Sequence, residues 1–179
     1  MTSLLTDLFN SSADIGAFED SVTQLDGAFS LDVDEMLLLG EAYLKRYPDR
    51  KKNRNSDEVR IGYRAARICI TEQLIKGLSP FEKECLRKAL KDTQYLKSTV
   101  EELRGNEAEY RCLEILDILD SRLESVLATV MKLPRGMIRE RFTGAVSTSS
   151  NFLYLFRFLL GQAKGQPKQN LNGGDTRTT

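Results

Sequence analysis

From Cys112 to Val130 the apolar residues fall at Cys112, Leu116, Leu119, Leu123, Val126 and Val130, alternating steps of four and three. Only an α-helix puts such positions on one face, and the run lasts about five turns. Glu114, Asp117, Ser121 and Glu124 occupy the other side. A helix with one long apolar stripe lies against other helices along its length.

The rest of the chain reads the same way. No sustained period-two alternation bounded by turn residues suggests a strand. Leu4, Leu5, Leu8 and Phe9 make a short amphipathic start, followed by a Ser-, Asp- and Gly-containing stretch to about residue 30. Ser30 or Asp32 can cap a helix that Pro48 ends, and Ser56 opens another whose apolar face runs from Val59 to Leu74 before Gly77. In "SPFE", Ser79, Pro80 and Glu82 spell a capping box with proline in the first turn. The steps Leu86, Leu90, Thr93, Leu96, Val100 and Leu103 carry that helix to Gly105. A short piece around Met137, Ile138 and Phe142 leads through "STSS" to "NFLYLFRFLL". The expectation is an all-α fold: a single helical bundle of about five to seven helices over residues 31–161. Residues 1–30 are expected to form an acidic flexible arm with a short amphipathic N-terminal helix able to dock on a protein partner, and 162–179 a disordered tail.

Chemistry is narrowed by what is missing. The chain has no histidine, which excludes Ser-His-Asp and Cys-His nucleophile systems and histidine-ligated metals. Cys69, Cys85 and Cys112 are far apart on apolar helical faces, as free core thiols in a reducing compartment would be. No glycine-rich phosphate loop is present, and no cofactor is expected. One enzymatic pattern remains, a metal-dependent nucleotide hydrolase. It would hold Mg²⁺ through Glu114 and Asp117, faced by Glu101 and Glu102, but these acids sit where solvated residues belong. The start "MTSLLTDLFN" has no secretory pattern, so a cytoplasmic protein is expected. The stretch "NFLYLFRFLL" would rise about 15 Å, half of a bilayer core, so no membrane span is expected.

Charge is uneven beneath a net value of zero. Residues 1–44 hold nine acids and no base, while residues 45–60 hold seven bases and three acids. Lys45, Arg46, Arg50, Lys51, Lys52 and Arg54 lead into Arg60, Arg64 and Arg67, which share one helical face. Neither Arg64 nor Arg67 has an acid three or four residues away. These nine bases form the candidate nucleic-acid-binding surface, with Tyr47 and Tyr63 as possible stacking rings. "NFLYLFRFLL" is apolar on all sides, which suits a central helix first and a homo-oligomer interface second. The interface residues would be Phe152, Leu155, Phe156 and Leu159. The expected function is therefore that of a non-enzymatic accessory or regulatory protein that self-associates and contacts RNA or a nucleoprotein assembly. The alternative is a protein-only adaptor receiving an acidic partner on the same face.

Overall fold

The computed structural model describes residues 3–48, 57–106 and 108–165, with 57, 58 and 163–165 described by backbone alone. Among them are eight α-helices and no strand: α1 (Leu4–Ser11), α2 (Ile15–Leu25), α3 (Val33–Arg46), α4 (Asp57–Leu74), α5 (Pro80–Lys91), α6 (Leu96–Asn106), α7 (Glu109–Val130) and α8 (Met137–Gly165). Starts are written by short polar side chains. Ser3, Asp14 and Asp32 each accept a hydrogen bond from a first-turn N–H, at 2.9, 2.8 and 2.9 Å. Ser79 and Glu82 form the full capping box with Pro80 beside them. Each such cap is worth about 1 kcal/mol.

Helix ends show a second device. The last carbonyls of a helix lack internal partners and sit at the negative end of its dipole. Here arginines from other helices supply the donors. Arg46 of α3 donates to the Phe9 and Ala13 carbonyls, both at 2.8 Å, closing α1. Its guanidinium also lies 5.4 Å from the Phe9 ring centre and 5.3 Å from that of Tyr47. Arg67 of α4 donates to Leu90 and Lys91 at the end of α5, at 2.9 and 3.1 Å. Arg122 of α7 donates to Leu74 at the end of α4, at 3.0 Å.

The all-α class holds, but the described residues form eight helices where five to seven were expected, and the structure differs from the sequence expectation in three further places. Residues 15–25 of the expected flexible arm form α2, whose Phe18 and Val22 are fully buried, while α1 buries Leu5 and Phe9. Phe9 and Phe18 meet edge to face at 5.3 Å, so both helices belong to the core, and the apolar side of α1 is already occupied. The helix expected from Ser79 to Gly105 is cut at Asp92, which is extended and accepts from Gln94 N at 3.1 Å, opening a single 3-10 turn before α6. Its apolar steps survive the cut: Leu86, Leu90, Leu96, Val100 and Leu103 are all buried. Conversely, "STSS" breaks nothing. Thr148 turns its hydroxyl back to the Gly144 carbonyl at 3.1 Å, Ser149 is buried, and α8 runs unbroken past Gly161.

That long α8 is the central helix, packed against α3, α4, α5, α6 and α7. Two glycines permit its closest approaches. A Cβ on Gly40 of α3 would stand 2.5 Å from Ile138, and one on Gly144 would run into the Tyr63 ring of α4. Cys69, Cys85 and Cys112 are free and buried. Among the described residues no helix is long and apolar enough to cross a membrane.

Candidate functional site

The nine candidate bases meet different fates. Lys45 and Arg60 are exposed. Arg50, Lys51, Lys52 and Arg54 lie outside the described residues. Arg46 is committed to closing α1, and Arg67 to closing α5. Arg64 reaches Glu19 of α2 at 2.7 Å, so an acid from the N-terminal region answers the helical face that has none of its own. Tyr47 packs edge to face on Phe9 at 6.2 Å, and the Tyr63 ring carries the Arg141 guanidinium at 5.1 Å. Both rings are half-buried in such contacts rather than presented for stacking.

Arg64 and Arg67 nevertheless open onto a cleft of about 580 Å³ between α2, α4 and α5. A volume of that size suits a small ligand or one unit of a larger one. Its floor is Ile68, Thr71 and Glu72 of α4, and α2 contributes Glu19 and Thr23. From α5 come Arg87, Lys88, Leu90 and Lys91, with Asp92 and Tyr95 at the rim. Five basic side chains thus face three acids, a surplus of two positive charges. The pairing inside the cleft is definite. Glu72, buried, receives Arg87 through two hydrogen bonds of 2.7 Å, which holds the Arg87 guanidinium above its ordinary basicity. Glu19 Oε1 receives Arg64 and also lies 3.3 Å from Lys91 Nζ. Burial, and then the charge of Arg64 close by, lower the basicity of Arg67; a guanidinium stays protonated regardless. Lys88 Nζ stands 5.0 Å from the Tyr95 ring centre, and Tyr95 keeps 36% of its surface exposed.

Arg87, Lys88, Lys91 and Tyr95 escaped the sequence reading. A signal was available: Arg87 and Lys88 step to Lys91 by four and three, echoing Arg60, Arg64 and Arg67. Glu84, three and four residues before Arg87 and Lys88, is a local acid that masks this signal in the sequence.

The other candidates resolve as follows. Glu114 accepts from Arg111 at 2.7 Å, and Glu102 lies 3.8 Å from the Cys85 sulfur. Among the described residues no three His, Cys, Asp or Glu side chains gather as a metal site. Of the expected interface residues, Phe152 and Phe156 are fully buried with ring centres 5.7 Å apart, because α8 is central and turns that face inward. Leu155 is exposed and Leu159 half-buried. The outward apolar side chains of this stretch are Tyr154, Leu155 and Phe158. No protein-family model matches the chain, and comparison with curated proteins and with solved structures returns no match.

Proposed function

We propose that this chain is a non-enzymatic helical accessory protein that contacts RNA or a nucleoprotein assembly through the basic cleft and the α4 face leading into it. The observation that carries this reading is the convergence of two basic helical faces, from α4 and α5, on one cleft with surplus positive charge and a partly open aromatic ring. Phosphates are attracted by such a surplus, and unpaired bases stack on exposed rings. Exposed Arg60, one turn before Arg64, extends the same face of α4. Self-association belongs to the proposal through Tyr154, Leu155 and Phe158.

One observation favours a second reading, an adaptor for an acidic protein: Arg64 and Lys91 already hold a protein carboxylate, that of Glu19. A salt titration separates the two. Binding of a single strand should weaken with salt at a slope of roughly −0.7 per phosphate contacted, in log–log form. Changing Arg60 and Lys91 together to Ala should flatten that slope by about one unit without altering the helical spectrum. An unchanged slope, or no strand binding at low salt, removes the nucleic-acid reading.

A further inference from the structure

We infer that the cleft takes one unpaired nucleotide of a single strand, its phosphate replacing the Glu19 carboxylate between Arg64 and Lys91 and its base lying on Tyr95. The inference rests on the nucleic-acid reading above and specifies how that site would be occupied. A single oxygen, Glu19 Oε1, sits 2.7 Å from Arg64 Nη2 and 3.3 Å from Lys91 Nζ. Those two donors come from different helices and meet at one acceptor, as they would on a phosphate oxygen. Arg67 and Arg87 are not available for this exchange, since one closes α5 and the other is forked onto buried Glu72. Glu19 is the replaceable partner: it is the carboxylate that both half-open donors share, and their side chains are 41% and 58% exposed. The ring of Tyr95 lines the same cleft, four residues beyond Lys91; Lys88 Nζ lies 5.0 Å from its centre, and unlike Tyr63 it keeps 36% of its surface exposed, which leaves it room for a base. A nucleotide carries both features that this arrangement complements, an anion and a flat ring. A run of acidic side chains alone carries only the first.

Glu19 then acts as an internal competitor, and its removal should help binding rather than harm it. The full-length chain is titrated into a labelled oligouridylate of about 12 nucleotides, within the span of one strand-binding groove. Glu19→Gln should tighten binding by ~5-fold, the scale of a partly exposed ion pair. Asp20→Asn serves as the control, because Asp20 is exposed on the same helix and its loss changes net charge equally. It should have well under half that effect. Tyr95→Ala should weaken binding by ~10-fold while Tyr95→Phe keeps it. Lys91→Gln, at an exposed position, should weaken binding with the fold intact.

Equal tightening by Glu19→Gln and Asp20→Asn would overturn the inference, as would indifference to Tyr95→Ala. So would an oligoglutamate of matched charge displacing the strand as well as unlabelled oligouridylate does. In those three outcomes strand binding itself survives. If neither the parent chain nor Glu19→Gln binds any strand at low salt, the reading of the site as nucleic-acid-binding falls, and this inference with it.

Discussion

In the core seam where α7 meets the central α8, apolar groups prevail: α7 buries Leu116, Leu119, Leu123, Val126 and Val130 in the core, and α8 buries Phe142, Val146, Phe152, Leu153 and Phe156 among its several neighbours. Around α5, charged groups are buried beside apolar Leu86, Ala89 and Leu90. Glu82 is 2% exposed and takes two hydrogen bonds of 2.7 Å from Arg111 of α7. Glu72 takes two from Arg87, Lys83 is joined to Asp26, and Arg67 closes the last turn. The seam gains stability from removing apolar area from water, about 1.5–3 kcal/mol for each large side chain. The α5 flank gains little net energy from its buried charges, yet loses much if one partner is removed. The first region tolerates change in shape-preserving steps. The second is brittle at single positions and fixes how α5 stands against α4, which shapes the cleft.

The largest expected effect breaks the seam. Phe156→Glu places an unpaired charge at a fully buried site, a cost of several kcal/mol that approaches the whole stability of a domain. The variant should lose its helical far-UV spectrum or its cooperative melt. Phe158→Glu, two residues on and half exposed, should fold normally and shift any self-associated species toward monomer in sedimentation. A folded Phe156→Glu protein would mean that α8 does not pack as described.

Next in size is the flank. Arg111→Ala leaves Glu82 buried without its guanidinium and should cost about 3 kcal/mol. That is the lower end for a buried pair, since the Arg111 side chain is 26% exposed. The paired change Glu82→Gln with Arg111→Met keeps a residue fit for the capping box and removes both charges, and should recover about half of the loss. Chemical denaturation of the two variants measures this. Equal destabilisation would show that packing of the Arg111 stem matters more than its charge.

These two regions also differ in how far the sequence discloses them. Cys112 to Val130 announced α7, and Ser79-Pro80-Glu82 announced α5, because both signals are written in steps of no more than four residues. The α2 helix was harder to see: Gly16, Asp20, Ser21 and Thr23 lower the apolar and helix-forming content of the stretch, although Ile15, Phe18, Val22 and Leu25 keep the helical step. Charge pairing was the least legible. Looking three and four residues along the chain left Arg64 and Arg67 without acids, but the partners of these two arginines, and the buried partner of Arg111, are distant. Glu19 is 45 residues from Arg64, Leu90 is 23 from Arg67, and Glu82 is 29 from Arg111. The same distance hides the cleft, which exists only once α5 lies beside α4. It also changes which substitutions can probe the basic face. Arg67→Glu would set a carboxylate against the closing carbonyls of α5, so Arg60 and Lys91 are the informative positions.

The smallest effect separates the regions by acid. Hydrogen bonds from Arg111 hold the Glu82 carboxyl below the ordinary carboxylate range, and Lys83 does the same for Asp26. A carboxyl whose folded value is depressed contributes stability above its unfolded value, near pH 4, and loses it as pH falls through the folded value. The chain has no histidine, and burial, with Glu102 beside it, pushes the Cys85 thiol up to about 11. The melting temperature should therefore stay nearly level from about pH 8 down to about pH 5 and decline below about pH 4. The decline should be smaller than the loss caused by Arg111→Ala, because protonated Glu82 keeps a place in the capping box. In the Glu82→Gln, Arg111→Met protein part of the decline should vanish, since the group that titrates is gone. An acid decline of the same size in that variant would place the sensitivity outside the Glu82–Arg111 pair, with Asp26 and its Lys83 partner the next link to cut.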